Sequence, residues 1–195
     1  MAKPLLPSAI RHRYEVHEWK HASAILAHDF PDELADILTA LTTFRVRHSH
    51  ITVGGGGKTK LAQEFDSLMT DRGWAEKKWD TRIVVDAQEH VSPTHRVDCY
   101  KNRVALELEW SNKDPFYDRD LNNFRLLFDL RAISVGVIVT KHDSLNEVFE
   151  SLGIAAKYGT STTWLSKLLP RVEGGGGGGC PLLVFGITKA CYLHD

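Results

Sequence analysis

The stretch of sequence that decides the fold is residues 95–112, which read H-R-V-D-C-Y-K-N-R-V-A-L-E-L-E-W-S-N. From Val104 to Trp110, bulky apolar residues alternate with a second set that includes Glu107 and Glu109. A period of two with branched and aromatic residues is typical of a half-buried β-strand. The two glutamates therefore share one face of this strand, about 7 Å apart along the chain.

A second strand-like run, residues 96–100, comes directly before this one. The residues between the two runs can form a tight turn, because asparagine tolerates a positive φ angle. If Asn102 and Arg103 form a two-residue loop, Asp98 pairs directly with Glu107, and the two Cβ atoms lie about 5 Å apart on one face. One hairpin would then gather all three acids of this stretch into a single cluster.

Three carboxylates packed together repel one another, and each of them resists ionisation. A hard divalent cation with oxygen ligands would relieve that repulsion, and Mg²⁺ is the usual choice. The alternative is a solvated strand face that carries ordinary acids. The spacing of a short motif does not decide between these two interpretations.

The arrangement of these acids resembles the active-site motif of the PD-(D/E)XK nucleases: Asp98, eight intervening residues, then Glu107-Leu108-Glu109. The run V-A-L-E-L-E-W-S-N is similar to the catalytic strand of type II restriction endonucleases of the BglII, BstYI and BamHI group. Most of the superfamily has lysine where this chain has Glu109, whereas BamHI has glutamate. The likeness extends loosely from Ala62 to Thr188.

The resemblance implies an α/β fold with a restriction-endonuclease-like core, in which a mixed central β-sheet is flanked by helices. It also implies that Asp98, Glu107 and the backbone carbonyl of Leu108 bind Mg²⁺. Glu109 would orient or deprotonate the attacking water, or help to hold a second metal ion. The alternative for Glu109 is a surface acid. The reaction would be hydrolysis of phosphodiester bonds in double-stranded DNA at a short palindromic site, leaving 5′ overhangs.

The candidate DNA contacts follow the catalytic strand. Ser111 and Asn112 match a pair that reaches bases in the major groove of the related enzymes, and asparagine can bond an adenine edge in bidentate fashion. The alternative is a strand-ending turn, since both residues are turn formers. A second candidate loop, residues 159–163, either reads bases or caps the next helix. The phosphate candidates are Lys113, Arg119 and Lys141, and the base-reading candidates of the second loop are Thr160, Ser161 and Thr162.

A homodimer is expected, because a palindromic duplex and a two-fold dimer share the same symmetry. In the related enzymes the helices after the catalytic strand form the interface, which corresponds here to predicted helices over Asp120–Leu130 and Leu145–Leu152. The alternative is that Phe124 and Phe128 of the first helix are simply core residues.

Composition limits the other possibilities. The chain has 195 residues, 43% of them hydrophobic, which suits a single endonuclease domain over residues 1–195. A net charge of −1 argues against a protein that coats DNA, although not against a local basic cleft. Three cysteines without zinc-ligand spacing suit a reducing compartment, and no apolar run is long enough to span a membrane. We therefore expect a cytoplasmic protein without a membrane partner.

Two glycine runs interrupt the chain. Gly54 to Thr59 imitates a phosphate-binding P-loop, but that motif requires glycine where this chain has Thr52. The run is otherwise a flexible loop, or a mobile loop near DNA. The six glycines from Gly174 to Gly179 are expected to hold no fixed structure by themselves.

The remaining patterns predict the other elements. They are helices over Pro31–Thr42, Lys60–Thr70 and Thr162–Leu169, the last stopped by Pro170, and strands over Arg13–Val16, Phe44–Val53, Thr81–Ala87, Ala132–Thr140 and Leu182–Thr188.

Three functions remain open. The first is the type II restriction endonuclease. The second is a non-catalytic, sequence-specific DNA-binding module with a nuclease fold, which the acidic triad disfavours because unused clustered carboxylates cost stability. The third is a P-loop NTPase.

Overall fold

The computed structural model describes residues 6–53 and 57–195. The α-helices in this part of the chain are α1 (Ser8–Arg13), α2 (Ala22–Asp29), α3 (Pro31–Thr43), α4 (His48–Ile51), α5 (Lys60–Thr70), α6 (Phe116–Asp129), α7 (Leu145–Ser151) and α8 (Leu165–Glu173). The strands are β1 (Tyr14–Trp19), β2 (Val46–Arg47), β3 (Ala75–Lys77), β4 (Asp80–Val85), β5 (Gln88–Pro93), β6 (Val97–Lys101), β7 (Val104–Glu109), β8 (Val135–Lys141), β9 (Leu182–Ile187) and β10 (Tyr192–Leu193).

The central sheet has six strands in the order β1-β9-β8-β7-β6-β3. The three inner strands, β7, β8 and β9, are parallel, whereas β1, β6 and β3 join the sheet antiparallel to their neighbours. Residues of β8 and β9 are buried along their whole length, as expected for parallel strands covered on both faces. This is the predicted α/β architecture, a mixed sheet flanked by helices.

Two apolar cores lie on opposite faces of the sheet. Leu106 of β7 belongs to the larger core, with Phe65 of α5, whereas its neighbour Ala105 belongs to a second core with Phe124 of α6 and Leu168 of α8. Strand β7 is therefore buried on both faces. The prediction of a half-buried strand was wrong in this respect, because α6 covers the face that carries the glutamates.

The β6–β7 hairpin has the predicted register. Asn102 and Arg103 adopt φ angles of 41° and 68°, the two positive values that a two-residue hairpin loop of type I′ requires. The regular pairing extends from Lys101–Val104 to Cys99–Leu106 and ends there. Asp98 is the next residue of β6, and its backbone N–H contacts the Glu107 side chain.

Several boundaries differ from the predictions. Residues 44–53 form a two-residue strand and a short helix rather than one strand. Strand β4 pairs with β5, so that residues 80–93 form a hairpin of their own outside the central sheet. Helix α8 runs through Pro170 to Glu173, although Pro170 was predicted to stop it. The buried residues Leu165, Leu168 and Val172 keep the helix on the sheet despite the missing proline N–H.

The glycines from Gly174 to Gly179 form hydrogen-bonded turns, so the expectation of no fixed structure was wrong. They pack closely on their surroundings: a Cβ on Gly176 would lie 2.9 Å from the Arg171 carbonyl oxygen, and one on Gly178 would lie 2.6 Å from the Arg125 side chain. Gly178 also has a φ of +57°. Packing against α6 supplies the order that glycine itself does not provide.

Gly54, Gly55 and Gly56 of the P-loop-like run lie outside the described residues. Within the described ranges, no helix combines the length and the apolar character needed to cross a membrane.

Candidate active site

The hairpin register brings Asp98 and Glu107 together. The backbone N–H of Asp98 donates to Oε2 of Glu107 at 3.2 Å, and the backbone N–H of Leu108 donates to Oδ2 of Asp98 at 3.1 Å. Each carboxylate is thus held by the backbone of the opposite strand. Asp98 is half-buried, whereas the Glu107 side chain is 1% exposed.

Glu109 lies two residues further along β7 and is also 1% exposed, which rules out the surface-acid alternative for this residue. It faces α6, where Nη2 of Arg119 lies 3.7 Å from Oε1 of Glu109 and 2.6 Å from Oδ1 of Asp120. Asp120 has no exposed surface. The acidic cluster therefore has four members rather than three.

The sequence reasoning missed Asp120. A signal was available, because Asp120 lies three residues after the buried Tyr117 and directly before the buried Leu121 on α6. Charged residues are almost never fully buried unless they are paired. An aspartate on the apolar stripe of a helix that follows the catalytic strand therefore indicates a site residue.

Burial and mutual repulsion disfavour ionisation of the three fully buried acids, Glu107, Glu109 and Asp120. Burial raises the pKa of Glu107 well above its usual value, and Asp98 and Asp120 raise it further. Burial, followed by the charge of Asp120, raises the pKa of Glu109 to about 9. Burial also raises the pKa of Asp120, although Arg119 opposes the shift. Without a cation, the cluster holds protons that ordinary carboxylic acids would lose.

The donor atoms suit a hard cation. Oε1 of Glu107 is buried and has no hydrogen-bond partner among the described residues, and the buried carboxyls of Glu109 and Asp120 have only each other at Oε2 and Oδ2. Carboxylate oxygens of this kind are the ligands that Mg²⁺ prefers. Within residues 6–53 and 57–195, no group of three or more His, Cys, Asp or Glu side chains already has the arrangement of a metal site. The chemistry of the cluster thus fits a divalent cation, and binding would require the carboxylates to reorient.

A cleft of about 300 Å³ opens beside Asp98. One wall comes from the end of β7 and the following residues, namely Leu108, Trp110, Ser111 and Asn112. The other wall comes from the start of α5, where Lys58 contacts Asp66 as an ion pair. This cleft gives solvent and ligands a route to Asp98, whose backbone contacts the buried Glu107.

The two predicted base-reading loops lie side by side. Lys113 and Thr162 form an isolated antiparallel bridge, and the backbone N–H of Asp114 donates to the Ser161 carbonyl at 3.0 Å. The Lys113 ammonium also donates to Oγ of Ser161 at 3.1 Å. Of the predicted base contacts, Ser111, Thr160 and Ser161 are exposed and Asn112 is half-buried. They belong to one continuous surface next to the cleft.

Thr162 is an exception, since it is 6% exposed and its hydroxyl donates to the Gly159 carbonyl at 2.9 Å. Thr162 also does not cap the next helix, which begins at Leu165. Instead, Asp143 caps that helix from another part of the chain, because Oδ2 of Asp143 accepts from the Ser166 N–H at 3.1 Å. Thr162 supports the loop rather than presenting its side chain to solvent.

Lys141 does not reach the surface, contrary to its predicted role as a phosphate contact. Its side chain is fully buried, its ammonium lies 4.9 to 5.8 Å from three aromatic ring centres, and it donates to the Trp110 carbonyl. The rings belong to Trp110, Tyr158 and Trp164. Burial lowers the pKa of Lys141 to about 7. This lysine fixes the end of the catalytic strand.

Arg119 was also predicted to contact phosphate. Its guanidinium is directed toward Asp120 and lies 4.3 Å from the centre of the Phe116 ring. The arginine is partly exposed, with 29% of its side-chain surface accessible. It neutralises the fourth acid of the cluster in this conformation.

Comparison with known proteins agrees with this geometry. The model of the family described as "Restriction endonuclease BglII/BglIII" matches residues 14–187, a region that begins well before the likeness seen from Ala62. A comparison with curated proteins finds no match. The family match covers most of the chain and includes the acidic hairpin, α6 and both paired loops. The chain therefore belongs to the BglII/BglIII family of restriction endonucleases.

Proposed function

We propose that this chain is a type II restriction endonuclease that hydrolyses phosphodiester bonds in double-stranded DNA at a short palindromic site, with Mg²⁺ as cofactor. The observation that carries the proposal is the position of Asp98, which joins the buried carboxylates to an open cleft. We further propose that residues 1–195 form one endonuclease domain that works in the cytoplasm as a homodimer and leaves 5′ overhangs.

Asp98, Glu107 and the carbonyl of Leu108 would hold the cation. A bound Mg²⁺ polarises the scissile phosphate and lowers the pKa of a bound water. The protein supplies the fixed hairpin that keeps two carboxylates at one place, and it supplies the low-polarity surroundings that strengthen their interaction with a cation. Glu109, which lies two residues beyond Glu107 on β7, orients the attacking water or accepts its proton.

Recognition would use the paired loops. Ser111 and Asn112 on one loop, and Thr160 and Ser161 on the other, offer hydroxyl and amide groups that can bond to base edges. Lys113 lies between the loops and can reach a phosphate oxygen, which would fix the register of the protein on the duplex. The same surface borders the cleft, so that base reading and cleavage take place side by side.

A cleavage assay tests the proposal. Wild-type protein should cut a plasmid at fixed sites with Mg²⁺ and should not cut it with EDTA. Asp98→Ala should abolish cleavage but retain DNA binding, since losing a negative charge near phosphates does not weaken the complex. Asp32→Ala serves as the matched control, because Asp32 is an exposed acid on α3. Sequence-specific binding without any cleavage would instead indicate the non-catalytic DNA-binding module.

A further inference from the structure

One cation lies at the mouth of the acidic cleft. Lys58 lies two residues before the start of α5, its side chain is 50% exposed, and its ammonium contacts Oδ2 of Asp66. Both residues line the cleft together with Asp98. The resemblance to a P-loop does not explain this lysine, since that motif is incomplete, and neither does the packing of the core.

The backbone around Lys58 is held in place. The Lys58 carbonyl accepts a hydrogen bond from Nε2 of Gln63 at 2.9 Å, and Oγ1 of Thr59 accepts from the Ala62 N–H at 3.2 Å as the cap of α5. The lysine side chain therefore projects from a fixed point into the cleft. The positive end of the α5 dipole lies at the same point and also favours an anion there.

The cleft needs such a cation if DNA enters it. A phosphodiester group carries a negative charge, and the cleft already contains Asp66 and Asp98, with Glu107 bound directly to the Asp98 backbone. Arg119 binds Asp120, Lys141 is fully buried, and Lys113 lies on the neighbouring loop and does not line the cleft. Among the described residues that line the cleft, Lys58 is positioned to meet an incoming phosphate.

We propose that Lys58 is a catalytic residue that binds a non-bridging oxygen of the scissile phosphate. In the free protein its ammonium rests on Asp66. When DNA enters, the ammonium exchanges this partly exposed carboxylate for the phosphate, and the exchange costs little because ion pairs near the surface contribute little to stability. The inference rests on the proposed nuclease function, since it assigns Lys58 to the substrate of that reaction.

The first test is single-turnover cleavage of a cognate duplex with Mg²⁺, after wild-type activity has been measured and its cut position mapped. Lys58→Met should lower the rate about 100-fold, the usual effect of losing one donor to a reacting oxyanion. Lys58→Arg should keep more activity than Lys58→Met. Lys60→Met is the matched control, because Lys60 is an exposed lysine two residues further along the chain, and it should cut at the wild-type rate.

The second test asks whether the lysine touches the phosphate. DNA affinity is measured with EDTA, using a cognate duplex and a duplex with an uncharged methylphosphonate at the cut position. For each protein, the affinity for the cognate duplex is compared with the affinity for the methylphosphonate duplex. The drop in affinity should be about tenfold larger for wild-type protein than for Lys58→Met, as expected for a charged hydrogen bond.

The outcomes separate this inference from the proposed function. Wild-type cleavage by Lys58→Met overturns the inference but leaves the nuclease function intact. An equal loss of affinity in wild type and Lys58→Met also overturns it, even if the variant cuts slowly, since the lysine would then act only through Asp66. If wild-type protein cuts no DNA, the proposed function fails before any lysine variant is tested.

Discussion

The side-chain amide of Asn112 donates a hydrogen bond of 3.1 Å to Oε1 of Glu109. Asn112 lies in the first of the paired loops, whose backbone carbonyl at position 112 also accepts from the Thr163 N–H at 2.9 Å. A residue proposed to read a base is thus in direct contact with a residue proposed to act in catalysis. Movement of this asparagine toward a base would change the hydrogen bonding of Glu109.

We therefore expect Asn112→Ala to lower both specificity and rate. The amide lowers the pKa of Glu109, so its loss makes the ionised carboxylate harder to form. Ser111→Ala is the comparison, since Ser111 is exposed and belongs to the same loop. We expect the alanine at position 112 to reduce the single-turnover rate at least about tenfold more than the alanine at position 111, as expected for a bond to a charged group. Equal effects of the two substitutions would show that no such coupling exists.

The second prediction concerns Glu109 itself. Glu109→Lys restores the residue that most of the superfamily has at this position, yet we expect it to be inactive, with cleavage reduced at least about 100-fold. The new ammonium would be buried beside Arg119, whose Nη2 now lies 3.7 Å from Oε1 of Glu109. It would also compete with a metal cation for the remaining acids. Plasmid cleavage and DNA binding should be measured together. Full activity would mean that Glu109 has no specific role.

The third prediction concerns pH and stability without metal. In the folded protein the pKa of Glu109 is raised from 4.5 to about 9, so unfolding releases a proton between these values. The contribution of Glu109 to the free energy of unfolding is therefore fully present below about pH 4.5, and it is lost as the pH rises toward 9. A glutamine at this position cannot ionise, so Glu109→Gln removes this loss of stability at high pH. In EDTA, the melting temperature of the variant should exceed that of wild type by an amount that grows with pH and reaches at least about 4 °C at pH 9.

Comparing the two proteins at each pH isolates Glu109 from other titrating groups. Lys141 is one of these groups, and its pKa is lowered to about 7, which gives it the opposite dependence on pH. A melting-temperature difference that stays constant from pH 5 to pH 9 would show that Glu109 is already ionised in the metal-free protein.

The sequence predicted the acidic β6–β7 hairpin well because its geometry is local. The period of two assigns Glu107 and Glu109 to one face, and the two-residue turn fixes Asp98 opposite Glu107, with no need to know what covers the sheet. Asp120 could not be assigned in the same way, since its contact with the cluster depends on how α6 packs on β7. The burial of Lys141 depends on tertiary packing in the same way, so the sequence alone did not show that this residue lies away from the surface.

The other errors have the same origin. Proline disfavours a helix interior, but the apolar stripe of α8 continues beyond Pro170 and outweighs that preference. The six-glycine run has no intrinsic order, yet α6 and Leu182 hold it in place. Residues 80–93 have the pattern of strands, but a local pattern does not tell whether a strand joins the main sheet or pairs with its own neighbour.

The last prediction concerns assembly and cut geometry. We expect a homodimer that cuts a palindrome of about six base pairs, because one site per protomer matches the two strands of a two-fold symmetric duplex. Phe124 of α6 is buried in the core, so an interface on this helix would use its exposed residues, such as Asn122 and Asp129. A rigid two-fold arrangement fixes the distance between the two active sites, and hence one stagger. The resemblance to the BglII, BstYI and BamHI group implies that this stagger leaves 5′ overhangs. Analytical ultracentrifugation with a cognate duplex gives the assembly, and mapping of both cut strands gives the stagger. A monomer that cuts an asymmetric site would contradict the two-fold arrangement. Ends with 3′ overhangs would separate the cut geometry of this chain from that of the BglII-like group, even if the nuclease function is correct.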